Sequence, residues 1–215
     1  MTTQTFYNWL QEVTNNFNSS ILDASKLNKM KNDLEIELLA ENNKNTTTKE
    51  RIKKIDSHFN QNYFERKPIL KCFKWVNGYK TFTDSYFITC LTEADGAGLT
   101  LKNADDEKNA VYPDTTKIIE NINNNLMYGL EKIIIKYDDL KNKLKLIKKD
   151  GIIALTTNNN NIVTFSKLEL SIFLIALNYK NDDEIVLFAD SHRLNGLWAC
   201  KNNSGSFGGI LPTRQ

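Results

Sequence analysis

The chain has 215 residues, of which 40% are hydrophobic and 25% charged, and a formal net charge of +2. That composition excludes a disordered chain and allows one large or two small packed domains, while the near-neutral charge excludes strong nucleic-acid binding through the field of the whole molecule. No run of about 18 apolar residues occurs, and Met1 to Asn8 lacks the basic start and apolar run of a signal peptide, which predicts a cytoplasmic protein with no membrane partner.

The first sixty residues read as helices separated by Asn- and Thr-rich breaks. Phe6, Leu10, Val13 and Phe17 recur on one helical stripe, and Leu27, Met30, Leu34 and Leu38 form a second after Asp23 or Ser25 as N-cap. A third stripe, Ile52, Ile55 and Phe59, carries the basic cluster Lys49, Arg51, Lys53 and Lys54.

From Pro68 the texture becomes aromatic and β-branched. Ile69 to Val76 and Tyr79 to Leu91 flank Asn77-Gly78, which predicts a hairpin because both turn positions tolerate positive φ. Thr92 to Asn109 reads as a loop, and Tyr112-Pro113-Asp114 opens the next segment. Then come a strand at Lys132 to Tyr137, a helix at Asp138 to Lys149 with Leu140, Leu144 and Ile147 inward, and a hairpin of Ile152 to Thr156 with Ile162 to Phe165. Ser166 caps a helix with Leu168, Ile172, Phe173 and Ile175. Strands at Glu184 to Ala189, Gly196 to Lys201 and Phe207 to Thr213 follow. Phe82 to Leu91 and Phe188 to Leu197 share Phe, Asp, Ser and Leu at matching positions, an echo that suggests two related halves.

The residues give little chemistry. Cys72, Cys90 and Cys200 show no metal-binding spacing and are an odd number, so buried thiols are expected. Ser191 and His192, adjacent beside Asp190, would point apart in a strand-turn and form no nucleophile–base pair. His58, within a basic amphipathic run, reads as a surface or half-buried residue. Ser204 to Gly209 has glycines but no Gly-Lys-Ser/Thr ending and reads as a turn. No catalytic residue, metal or cofactor is expected. In the helix after Asp138, Lys141, Lys145 and Lys148 fall on one face beside the apolar stripe, as either a solvated face or a phosphate-contacting row.

Several segments, taken in order, resemble the bacterial DNA polymerase sliding-clamp family. Arg66-Lys67-Pro68-Ile69-Leu70 followed by Phe82 to Ile88 resembles the family's Arg-Pro-Ile-Leu strand and Thr-Asp-Gly/Ser-His-Arg-Leu turn. Tyr112 to Ile119 resembles its inter-module linker, and Lys132 to Lys149 the strand and basic helix that open its last module. Phe165 to Leu170, a helix, Glu184 to Phe188 and Ile210-Leu211-Pro212-Thr213-Arg214 follow its closing order. The resemblance covers about residues 65 to 215. The chain departs from it in lacking a leading strand, in the short stretch from Gly151 to Phe165, and in Tyr86-Phe87 where His-Arg is usual.

The resemblance implies an α+β fold of two clamp-like modules: residues 1–111, divergent with a helical start, and residues 112–215. It implies a processivity factor, of phage or prophage origin, that tethers a polymerase or other partner to double-stranded DNA by weak, non-specific contacts and assembles as a homo-oligomeric ring. The other reading is a clamp-derived adaptor or decoy that binds partner peptides without encircling DNA. Carried over, one wall of the peptide pocket is Leu70, Thr83, Ser85, Tyr86, Phe87 and Ile88; the other is Pro113, Lys117, Ile118, Ile210, Leu211, Pro212 and Arg214. Leu70, Ile118 and Ile210 read equally well as core. DNA would be faced by Lys141, Lys145 and Lys148, with help from Lys53 and Lys54.

Overall fold

Asn77 and Gly78 carry φ of 51° and 81°, the paired left-handed values of a two-residue hairpin turn, and join strands β1 (Cys72–Val76) and β2 (Tyr79–Thr83). This hairpin seeds a large sheet in the computed structural model, which describes residues 8, 47–60, 68–106 and 112–213. The helical stripes expected around Phe6 and Leu27 lie outside the described residues. The third is present as α1 (Thr47–Phe59), with Ile52, Ile55 and Phe59 all buried.

The run Tyr79 to Leu91 is not one strand. Its Thr83-Asp84-Ser85-Tyr86 segment turns, and the chain reverses into β3 (Phe87–Leu91), antiparallel to β2 with Thr81 opposite Cys90. The reason is local. Asp84 Oδ1 accepts from the amides of Tyr86 and Phe87, both at 2.9 Å, and Ser85 sits at φ 81°. The expected loop after Thr92 contains a short helix, α2 (Glu93–Gly96), capped by the Thr92 hydroxyl, and β4 (Lys102–Asn103), which pairs in parallel with β1.

The segment expected to be a linker folds after Thr115 into α3 (Thr116–Tyr128), with Ile119 and Ile122 buried. β5 (Glu131–Lys136) and α4 (Tyr137–Lys145) follow, the helix ending four residues before the predicted Lys149. The Ile147 carbonyl accepts from the Lys167 ammonium, and the Gly151 amide turns back to Lys148 O at 3.0 Å; both divert groups that a continuing helix would use. The expected hairpin is present as β6 (Ile152–Thr156) and β7 (Ile162–Ser166), a separate two-stranded sheet. Ser166 occupies the N-cap position of α5 (Lys167–Ala176) without a side-chain cap bond. The closing strands are β8 (Glu184–Ala189), β9 (Trp198–Lys201) and β10 (Phe207–Ile210), the last two shorter than predicted.

The large sheet runs β4-β1-β2-β3-β10-β9-β8-β5, and the β3–β10 pairing joins strands from either side of residue 111. One face carries Phe82, Phe87, Leu91, Trp198 and Ile210 into a core shared with α1, α4, α5 and the β6–β7 hairpin. The other carries Ile88, Cys90, Ala199 and Phe207 against Ile119 and Ile122 of α3. The result is an α+β fold with helices on both faces of a mainly antiparallel sheet. The two echoed segments each place an aspartate at a strand end, and Asp190 Oδ1 accepts from the His192 amide much as Asp84 serves Tyr86. They then diverge, since β3 starts at Phe87 while β9 starts only at Trp198.

Candidate functional site

The turn at Asp84 and the tail after β10 lie far apart in sequence, yet one ladder brings them together. Ile210 pairs with Phe87, and one residue further the Leu211 amide donates to the Tyr86 carbonyl at 2.9 Å. The tail then runs beside β7, where the Thr213 amide donates to Thr164 O at 2.7 Å and the Thr164 hydroxyl to Thr213 O at 3.3 Å. The turn is tied within itself as well, by the Thr83 hydroxyl donating to Phe87 O at 2.6 Å and accepting from the Ser85 amide. At this junction Tyr86 is 51% exposed and Leu211 42%, two large apolar side chains that the fold leaves facing solvent.

The pocket residues carried over from the sequence divide. Ser85, Tyr86 and Leu211 are exposed and Thr83 and Pro212 half-buried around the turn and tail. Leu70, Phe87, Ile88 and Ile210 are core side chains, each less than 5% exposed. Pro113, Lys117 and Ile118 are exposed at the start of α3. Tyr112 just before them donates its hydroxyl to Thr81 O at 2.9 Å, and Ile119 just after them packs with Ile88, so this stretch crosses the α3 face of β2 and β3. Arg214 lies outside the described residues.

The basic residues also divide. Lys145 and Lys148 are exposed, but Lys148 falls beyond the end of α4. Lys141 is half-buried, donates to Asn181 Oδ1 at 3.3 Å and lies over the Tyr137 ring. Lys53 and Lys54 are exposed on α1, which packs, like α4, against α5. The predicted row of three is therefore not continuous on one helix.

His58 is more deeply buried than the surface or half-buried position expected of it. It is 5% exposed, and its Nε2 meets Asp84 Oδ2 at 3.0 Å. The three thiols are buried, as expected, and burial pushes Cys90 up to about 11 and Cys200 up to about 12. Asp190 and His192 are exposed, and their bond runs from backbone to carboxylate. No helix among the described residues is long and apolar enough to cross a membrane.

Sequence reasoning missed a cavity of about 270 Å³ beside α3. Val76, Tyr79, Ile119, Leu126 and Phe207 give it apolar walls, with Cys90 behind and Asn77, Asn123 and Lys201 among its polar lining. None of the predicted pocket residues among the described residues lines it. The signal was present in Ile119, Ile122 and Leu126, which recur at helical spacing after an Asp114-Thr115 start, with Asp114 Oδ1 accepting from the Thr116 amide at 3.0 Å.

No protein-family model matches this chain, and no curated protein matches it. Two solved structures are similar to it. The DNA polymerase III subunit beta of Borrelia burgdorferi, in complex with a natural product, is 12% identical with a TM-score of 0.45, over 76% of this chain and 63% of its own. The DNA polymerase III beta subunit of Thermotoga maritima is 11% identical with a TM-score of 0.46, over 79% of this chain and 64% of its own. The chain thus spans less than two thirds of the length of either.

Proposed function

We propose that this chain is a sliding-clamp-like processivity factor that holds a partner, such as a polymerase, by a short peptide and tethers it to DNA. The observation that carries the reading is the junction of turn and tail. Two segments that the sequence reading set down as opposite walls of a peptide pocket are hydrogen-bonded side by side, Leu211 N to Tyr86 O at 2.9 Å. They leave Tyr86 and Leu211 exposed as apolar anchors, with Lys117 and Ile118 exposed at the start of α3. Peptide grooves gain most of their affinity from a few such anchors and their orientation from polar groups at the lip. On the helices α1 and α4, Lys53, Lys54 and Lys145 would meet phosphates without reading bases, which suits a tether that must move along DNA.

A second reading, an adaptor that keeps the peptide surface without encircling DNA, is favoured by the interrupted lysine row, since Lys141 is partly covered and Lys148 lies beyond its helix. Retention on DNA of different topology separates the two. A ring that encircles DNA stays on a nicked circle at a salt concentration that dissolves ordinary phosphate contacts, and runs off when the circle is cut. Equal loss from circle and linear duplex at low salt would remove the tether and leave the adaptor.

A further inference from the structure

We propose that His58 is a positioning residue for the Tyr86–Leu211 surface: through Asp84 it fixes the turn on which that surface is built, so that α1 buttresses the binding turn from behind. The purpose assigned to the surface rests on the partner-binding reading above; the coupling itself rests on geometry.

Asp84 is 2% exposed and uses both carboxylate oxygens. Oδ1 accepts from Tyr86 N and Phe87 N at 2.9 Å each, and Oδ2 meets His58 Nε2 at 3.0 Å. Without the imidazole, Oδ2 becomes a buried acceptor with its donor removed, and the turn must open to rehydrate it. Opening the turn moves the Tyr86 carbonyl, which is the acceptor of the Leu211 amide. A line of hydrogen bonds thus runs from α1 through the turn to the tail.

Packing around the line is consistent with this division of labour. The Phe87 ring is held among Phe59, Phe173 and His58, with centroids at 6.4, 5.8 and 6.1 Å, so the side chain anchors the strand while Asp84 sets the backbone of the turn. Ser85 at φ 81° is a conformation that a residue with a Cβ keeps only when its surroundings enforce it. Glu169 on α5 feels the pair electrostatically: burial pushes its carboxyl up and its own backbone amide opposes this, with smaller contributions from Asp84, which raises it, and His58, which lowers it.

A residue with only a core role would loosen the whole fold when replaced, whereas a positioning residue loosens the turn and tail selectively. Residue-resolved hydrogen exchange on the full chain reads the difference. His58→Ala should speed exchange of the Tyr86, Phe87 and Leu211 amides about tenfold or more, the scale of losing a hydrogen bond to a charged group, with the β5–β8 ladder unchanged. His58→Gln, which returns an amide donor, should bring the three back to within about threefold of the native rate. If His58→Ala does not fold, His58→Phe fills the space without a donor and stands in its place against His58→Gln. A fluorescent peptide with a Gln followed by Leu and Phe anchors should bind more weakly to the donor-less variants and recover with His58→Gln. Uniform acceleration across the molecule, or a Gln variant as fast as the donor-less ones, would overturn the proposal. A native protein that shows the selective exchange but binds no such peptide would overturn the partner-binding reading while leaving the coupling in place.

Discussion

Arg51 reaches from α1 to the Asp95 carbonyl at 2.8 Å, and the same guanidinium donates to the carbonyls of Ile175 at 2.9 Å and Ala176 at 2.6 Å. It thereby satisfies the Ala176 carbonyl at the C-terminal end of α5, adds a second donor to the Ile175 carbonyl that the Asn178 amide already meets, and joins three helices in one bond set. The Asp95 side chain is the counterpart on the other side of this node. It accepts from Asn178 at 2.8 Å, Asn202 at 3.0 Å, Ser206 at 2.6 Å and Ser204, which binds α2 to the end of α5 and to the β9–β10 turn. Burial brings Arg51 down to about 10, with the charge of Asp95 opposing the shift.

Replacing Asp95 by Asn should therefore cost about 2 kcal/mol or more in urea unfolding, because the amide presents donors where four donors already converge. A midpoint within error of the native protein would show that the network is not a stabilising node.

The same residue gives the sign of an acid response. Burial pushes the Asp95 carboxyl up, but the bonds from Ser204, Ser206, Asn178 and Asn202 outweigh it and hold the group below its ordinary range. A carboxyl depressed in the folded state contributes stability that is complete above its unfolded value, about 3.9, and is lost as pH falls through the folded one. Native stability should fall below about pH 4, and the part of that fall due to Asp95 should be missing in Asp95→Asn. Identical acid slopes in the two proteins would contradict the assignment.

Gly208 lies in β10 where the two halves of the sheet meet. A Cβ there would sit 2.4 Å from Ile88 O and 2.8 Å from the Phe173 ring. Gly208→Ala should destabilise by roughly 1–3 kcal/mol, the usual cost of forcing extra volume into a packed core. Thermal unfolding checks it, and an unchanged midpoint would mean that the β3–β10 junction is looser than described.

Ser85 gives the opposite expectation. Its φ of 81° costs a residue with a Cβ, and its backbone amide, not its side chain, makes the bond to Thr83. Ser85→Gly should stabilise by about 0.5 kcal/mol, after the greater chain entropy of glycine is set against relief of the left-handed conformation. Chemical denaturation resolves a change of that sign, and a loss would point to an uncounted role for the hydroxyl.

Much of the local structure was legible because its signals are local. Asn77-Gly78 specifies its own turn, the alternation in Ile152 to Thr156 is a half-buried strand, and the Ile52, Ile55, Phe59 stripe is a helix face whichever partner it meets. The linker expectation for Tyr112 to Ile119 rests on its resemblance to the family's inter-module linker, and Asn121, Asn123, Asn124 and Asn125 dilute the apolar stripe of the helix that follows; its stability comes from docking Ile119 and Ile122 on Ala199 and Phe207. The sequence suggests a surface or half-buried His58 because it follows the basic Lys53 and Lys54 on the same helix, while the partner that buries it, Asp84, lies on another element. For the candidate site, the exposed members Tyr86 and Leu211 were identifiable from the order of motifs. Their neighbours Phe87 and Ile210 go into the core by the alternation of the strands, but the residue types alone do not say which of the two alternating sets faces inward.

Assembly is testable without any ligand. Among the described residues the outer strands of the large sheet are β4 and β5, and exposed edges must be paired or protected. If the ring reading is right, light scattering coupled to size exclusion should return a closed oligomer with a mass independent of concentration. A monomer at high concentration would favour the adaptor.

The most direct test of the central claim is fluorescence polarisation with a panel of short peptides carrying a Gln followed by Leu and Phe anchors, titrated with the full chain. The account predicts saturable binding that Leu211→Ala, combined with removal of the last four residues, weakens by roughly thirtyfold, since a buried anchor is worth about 2 kcal/mol and 1.4 kcal/mol is a factor of ten. Absence of binding by every peptide at high micromolar protein, with the fold intact by circular dichroism, would contradict the claim that the turn at Asp84 and the tail after Ile210 form a partner-binding surface.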